Sequence, residues 1–187
     1  MQFLLDTPIE QIQVKAGVIV AIKTPQGEIQ ADQYVMALGA ASAPMARQLG
    51  VDLAIYPLKG YSITVDVGDE SKTPAVSVTD SARKVVFAGI GSRLRVAGMA
   101  ELAGYDRQID IRQIESPKAS TQALLPQCSV FPELNPWAGL RPATPTALPL
   151  IGRHAKRPGN MLFNVGHGAL GFTLAFGSAA RVTQFLN

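Results

Sequence analysis

Met161-Leu162-Phe163-Asn164-Val165-Gly166-His167-Gly168-Ala169-Leu170-Gly171-Phe172-Thr173 is the stretch that decides the fold. Five mostly apolar residues read as a buried strand, the glycines as a turn, and the following residues as a helix from Leu170 to about Leu186. Glycines at 166, 168 and 171 let the backbone approach a bound group closely. The free N–H groups and positive end of the helix favour negative charge on that group, which suits a cofactor that becomes anionic. A strand, glycine turn and helix also occurs as plain architecture, so the reading needs a second signal.

That signal lies upstream. Trp137-Ala138-Gly139-Leu140-Arg141-Pro142-Ala143-Thr144-Pro145, continued by Leu148-Pro149-Leu150-Ile151-Gly152, sets one arginine among prolines, glycines and apolar side chains. Arginine is costly to bury unpaired, and its planar fork matches a carboxylate.

With Tyr34-Val35-Met36-Ala37-Leu38-Gly39 and Tyr56-Pro57-Leu58-Lys59-Gly60-Tyr61 nearer the N-terminus, these blocks resemble the C-terminal half of FAD-dependent D-amino-acid dehydrogenases. The wider group is the D-amino-acid oxidase-like flavoproteins, which also holds glycine and sarcosine oxidases. The likeness runs from about Phe3 to Phe185. Members of the group begin with a GxGxxG turn for the FAD pyrophosphate and an acidic residue about 20 positions on for the ribose. No such fingerprint occurs here: Gly89-Ile90-Gly91 lacks a third glycine at the right spacing. The expectation is therefore a fragment without the pyrophosphate-binding half, with little affinity for FAD and no turnover by itself.

Composition is that of a globular piece. Across 187 residues, 47% are hydrophobic and 17% charged, enough for a core. The net charge of +3 is small and its cations are scattered, which argues against nucleic acid as a partner. The single Cys128 excludes an internal disulfide, and neither histidine has metal-ligand spacing to another ligand. That fits a reducing cytoplasm. No run reaches the roughly 18 apolar residues of a spanning helix, and no basic, apolar leader opens the chain, so any membrane contact is peripheral.

The expected fold class is α+β. Residues 1–56 and 130–187 form a partial FAD-binding domain with a β-meander, parallel strands and a C-terminal helix, and residues 57–129 an antiparallel-sheet substrate domain. Short strands are predicted over 3–5, 9–14, 18–22 and 29–31, then a strand buried on both faces over 33–39, followed by a helix through Leu49. Alternating strands follow over 61–67, 75–79, 85–88 and 94–97, and then a helix with apolar residues at Ile109, Ile114 and Leu124 to Leu125, its pattern interrupted by Pro117.

By resemblance, Arg141 forms a two-pronged ion pair with the substrate carboxylate, while Tyr61 and Tyr105 shape the substrate pocket. Ile9 lies at the adenine and Gly39 at the pyrophosphate. Gly139, Pro142, Gly166, His167, Gly168, Ala169, Leu170, Gly171, Phe172 and Thr173 surround the flavin. His167 positions through its main chain, and the Thr173 hydroxyl faces the pyrimidine end. Lys59 and His154 receive no chemical role. The implied reaction is hydride transfer from a D-amino acid to FAD, with hydrolysis of the imino acid to a 2-oxo acid and ammonia. Electrons pass to a quinone or another membrane acceptor, so a cytoplasmic protein touching the inner face of the membrane is implied. Two alternatives stay open: an amine oxidase of the glycine or sarcosine type, and a non-catalytic interaction module. The face left bare by a missing half predicts self-association.

Overall fold

The computed structural model describes residues 1–128, 134–155 and 158–186. In chain order the strands and helices are β1 (Gln11–Lys15), β2 (Val18–Thr24), β3 (Gly27–Ile29), β4 (Tyr34–Met36), α1 (Ser42–Arg47), β5 (Tyr56–Asp66), β6 (Val78–Asp80), β7 (Val85–Ile90), β8 (Arg93–Glu101), α2 (Ile111–Leu124), β9 (Asn135–Ala143), β10 (Leu150–Gly152), β11 (Met161–Val165) and α3 (Ala175–Thr183). The chain divides into two compact units, Met1–Tyr56 with Arg141–Asn187, and Pro57–Leu140. Strands β5 and β9 carry the backbone across the division.

The first unit holds a meander, β1-β2-β3, and a second sheet of order β10-β11-β4 in which β11 runs parallel to β4. The parallel pairing sets Met161 opposite Tyr34 and Phe163 opposite Met36. Their apolar side chains meet Ala43 and Ala46 of α1 and Val51, Leu53 and Ile55 beyond it in one buried cluster. Burying each large apolar side chain there contributes about 1.5–3 kcal/mol. One amide ties the two sheets together. Asn160 accepts from the Ile19 N–H at 2.7 Å and donates to the Ile19 carbonyl at 2.9 Å, while its own carbonyl accepts from the Tyr34 N–H.

Several expectations change here. The segment 3–5 forms no strand, and its apolar side chains are exposed. Strand β4 is shorter than predicted and buried on one face only: Tyr34 and Met36 point inward, whereas Val35 is 45% exposed. It is an edge strand, and an edge strand with one uncovered face need not be apolar on both. The C-terminal helix begins five residues later than predicted. Residues 168–170 form a 3-10 turn, residues 171–174 continue as turn, and α3 starts at Ala175.

The second unit is an antiparallel sheet of order β6-β7-β8-β5-β9. One face packs Tyr61, Ile63, Val65, Phe87, Leu94 and Val96 against Ile114 of α2. Helix α2 is unbroken, with Pro117 inside it and buried. The ring forfeits one backbone hydrogen bond. The Pro117 carbonyl gains one instead, accepting from the Thr121 hydroxyl at 2.8 Å. The expected return of the chain at residue 130 falls outside the described residues. Residues 134–140 belong to the second unit, because β9 continues the sheet beside β5.

Candidate functional site

Strands β4 and β11 are parallel and adjacent, so their carboxyl ends lie at one end of the sheet. Each runs into a glycine with left-handed backbone: Gly39 at φ 57° and Gly166 at φ 80°, with Gly168 at 56° two residues on. Side chains other than glycine pay for such geometry. Gly39 and Gly168 have open space where a Cβ would stand, whereas a Cβ on Gly166 would lie 2.7 Å from Thr144 Cγ2. Gly166 is thus required by packing as well as by dihedral angle, and the other two leave room in front of the backbone. Ligands in open α/β sheets bind in the crevice outside such strand ends.

Two polar side chains border this turn. Asn164 Oδ1 and His167 Nε2 are buried with no hydrogen-bond partner among the described residues. Leaving such an atom unsatisfied costs about 1–3 kcal/mol. Burial pulls the His167 imidazole below its ordinary value and keeps it neutral near pH 7. A ring held neutral offers a hydrogen bond and no positive charge. Ile9 lines a small apolar pocket of about 70 Å³ beside β4, with Tyr34, Val35, Leu38 and Met161.

Arg141 stands near the end of β9, half-buried, and Pro142 follows it. The loop after it closes on itself. The Thr144 hydroxyl donates to the Leu148 carbonyl at 2.8 Å, the Ala147 N–H donates to the Thr144 carbonyl at 3.1 Å, and Ala147 takes φ 59°. Through the Thr144 methyl this loop rests against Gly166. Leu170 and Phe172 are exposed, Phe172 at 98%, and Ala169 and Thr173 also face outward. The N–H groups nearest the glycines belong to a single 3-10 turn, in which the Leu170 N–H donates to the His167 carbonyl, so they are not the head of a long helix.

The first unit therefore carries Ile9, Gly39, Arg141, Pro142 and residues 166–173. Gly139, Tyr61 and Tyr105 belong to the second. There the Trp137 ring lies across Gly139, where an added Cβ would stand 2.0 Å from Cη2. Glycine at 139 makes room for the indole. Tyr61 is 1% exposed and its hydroxyl donates to Glu101, so its phenol faces the sheet's own polar cluster; Tyr105 is half exposed on the loop after β8. Burial first, and then the Glu101 bond, raise the Tyr61 phenol above its ordinary value.

The same cluster holds the residue that sequence reading passed over. Lys59 is buried on β5, with Nζ 3.2 Å from Asp106 Oδ2 and 3.6 Å from Glu101 Oε2, and 5.3 Å from the Tyr61 ring centre. Burial pulls the ammonium down, but its bonds to Tyr61 and Asp106 and their charge outweigh this and push it up to about 12. Asp106 answers in the opposite sense, held low by the Gln108 N–H and then by Lys59. The only signal in the sequence was a lysine inside an otherwise apolar strand. Among the described residues no group of three or more His, Cys, Asp or Glu side chains is placed to hold a metal ion, and no helix is long and apolar enough to cross a membrane.

Parallel strands ending in left-handed glycines, beside buried polar atoms without partners among the described residues, are the kind of strand end at which α/β sheets bind ligands. The chain belongs to the DAO family of FAD dependent oxidoreductases, whose family model matches residues 1–185. It is 39% identical to a D-amino acid dehydrogenase of Vibrio vulnificus over 98% of this chain and 44% of that protein. It is 42% identical to D-amino acid dehydrogenase 2 of Ralstonia nicotianae over 95% of this chain and 43% of that one. The chain spans less than half the length of these curated relatives. Among solved structures, glycine oxidase from Geobacillus kaustophilus superposes with a TM-score of 0.81 at 22% identity, over 96% of this chain and 48% of that one. L-proline dehydrogenase from P. horikoshii does so with 0.83 at 17% identity, over 97% of this chain and 49% of that one. These two likenesses establish the fold.

Proposed function

We propose that this chain is the C-terminal half of a D-amino-acid dehydrogenase, which oxidises D-amino acids to 2-oxo acids and ammonia. In this reading Met1–Tyr56 with Arg141–Asn187 is the flavin-binding unit and Pro57–Leu140 the substrate unit. One observation carries it: left-handed Gly39 and Gly166 at the carboxyl ends of two adjacent parallel strands, with Asn164 Oδ1 and His167 Nε2 buried and unpartnered beside the second. The identity of 39–42% to D-amino acid dehydrogenases supports the substrate class.

FAD, when bound, supplies the acceptor for the hydride of the substrate α-carbon. The chain supplies position. Gly39, Gly166 and Gly168 let main chain approach the cofactor, Asn164 and neutral His167 offer it hydrogen bonds, and Ala169 to Thr173 line its ring end. Arg141 holds the substrate carboxylate by two charge-assisted bonds. The electron acceptor is a quinone or other membrane acceptor, reached from the cytoplasmic side.

The test compares the chain alone with the chain fused behind the N-terminal remainder of the Vibrio vulnificus relative. The fusion is expected to be yellow and to bleach with D-alanine or D-methionine while an electron-accepting dye is reduced; the chain alone binds FAD weakly and turns nothing over. Arg141→Ala in the fusion costs about 2–5 kcal/mol of transition-state binding, roughly 30- to 5,000-fold in kcat/KM, mostly through KM. A fusion that binds flavin yet bleaches only with glycine or sarcosine, releasing peroxide, refutes the proposal in favour of an oxidase. A folded fusion with no flavin refutes it outright.

A further inference from the structure

The sheet of the second unit buries one face and leaves part of the other open. Along β5, Ile63 and Val65 are fully buried while Thr64 and Asp66 point the opposite way; along β8, Leu94 and Val96 are buried while Arg93 and Arg95 are not. The antiparallel register sets Thr64 against Arg95 and Asp66 against Arg93, so these four share the open face. With Asn135 and Trp137 of β9 they line a cleft of about 670 Å³. That volume is in the range of small-molecule sites, about 300–1,000 Å³.

Its chemistry is lopsided. Arg95 sits 5.5 Å from the Trp137 ring centre and gives one N–H to Ser62 Oγ at 3.1 Å. Neither Arg95 nor Arg93 is in an ion pair among the described residues. The one acid of the cleft, Asp66, turns an oxygen to the Gly68 N–H at 2.9 Å. A guanidinium fixed by a neutral hydroxyl and an aromatic ring keeps donors for a carboxylate. The indole is 55% exposed, a large apolar surface held in place because glycine at 139 lets it lie flat on the strand.

We infer that this cleft is a binding site for small aromatic carboxylates, with the flat ring on Trp137 and the carboxylate on the guanidinium of Arg95, and Arg93 adding positive potential. A carboxylate without a ring leaves the indole wet, and a ring without charge leaves the arginines unanswered. The site stands on residues of the second unit alone and is independent of flavin binding.

Trp137 is the chain's single tryptophan, so its fluorescence reports this cleft without cofactor or turnover. The 187-residue chain is titrated with phenylacetate, phenylacetamide and acetate at constant ionic strength. Phenylacetate is expected to change the emission saturably, and the other two to act about tenfold more weakly or not at all, the order of one charge-assisted bond or one stacked ring. Arg95→Gln weakens phenylacetate about tenfold, and Arg93→Gln by less; Arg141→Gln, outside the cleft, leaves the titration unchanged. The inference is overturned if phenylacetamide binds as well as phenylacetate, if acetate alone saturates the signal, if Arg95→Gln binds as the parent does while keeping its circular dichroism, or if no probe saturates.

Discussion

Replacing Gly166 by alanine tests whether the turn after β11 is set by packing or by dihedral angle alone. Two terms can be worked from the structure. At φ 80° a Cβ carries the left-handed penalty, about 1–2 kcal/mol. The same Cβ would lie 2.7 Å from Thr144 Cγ2 and 3.6 Å from the Leu150 nitrogen. The first of these is overpacking, about 1–3 kcal/mol. Together they predict a loss of about 2–5 kcal/mol. Gly168→Ala supplies the comparison, because φ is 56° there and no atom lies within 4 Å of the added Cβ. It should lose only the dihedral term. Thr144→Ser removes the offending methyl while keeping a hydroxyl for the 2.8 Å bond to the Leu148 carbonyl, so the double variant Gly166→Ala, Thr144→Ser should fall back to the level of Gly168→Ala. Urea unfolding followed by circular dichroism gives the three differences as midpoint shifts at constant slope. If Thr144→Ser recovers nothing, or if Gly166→Ala costs no more than Gly168→Ala, the loop over residues 144–149 does not rest on the turn and the packing argument fails.

Two pH limbs follow from the Lys59 cluster. Tyr61, raised by burial and by Glu101, adds stability that is complete below the unfolded value of about 10 and is lost as pH rises through its folded value; absorbance at 295 nm should show a late phenolate step that Tyr61→Phe removes. Asp106, lowered by the Gln108 N–H and Lys59, adds stability that is present above about pH 4 and is lost as pH falls through its folded value, so Asp106→Asn should flatten the acid limb of an unfolding curve. Phe172 and Phe176, 98% and 92% exposed, should drive self-association of the chain. Light scattering at high concentration should find dimers or larger species that Phe172→Ser with Phe176→Ser returns to monomer; a monomeric parent chain would refute this.

Strands β4 and β11 were each legible as an apolar run ending in glycine, but their parallel pairing was not, because the partners lie more than 120 residues apart in the chain. The start of α3 was not, since Gly171, Phe172 and Thr173 carry no capping signal that separates a 3-10 turn from a first helical turn; the backbone there is already right-handed at Gly171, with φ −55°. Pro117 misled for a different reason. Its cost is real but local, and the Thr121 bond to its carbonyl is a side-chain compensation that no periodicity reveals. At the site, Gly166 and His167 stood out by pattern, whereas Asn164 was one polar letter in an apolar strand. Lys59 showed only as a lysine in an otherwise apolar strand, with no hint of its role. Its meaning rests on Asp106, 47 residues away, and a single chain without its contacts does not say which acid meets which base.

The Asn160 amide that clasps Ile19 has a consequence for the birth of the protein. The two residues are 141 apart in sequence. At about 5–20 residues per second the ribosome needs roughly 7–28 s between making one and the other. During that interval β4 has emerged without its parallel neighbour, while Pro57–Leu140, contiguous in the chain, has all its own strands to hand. The inserted unit has the first opportunity to close. The outer one must wait for β11, which lies within residues 141–187, and that waiting time is when a chaperone or another nascent copy would find it.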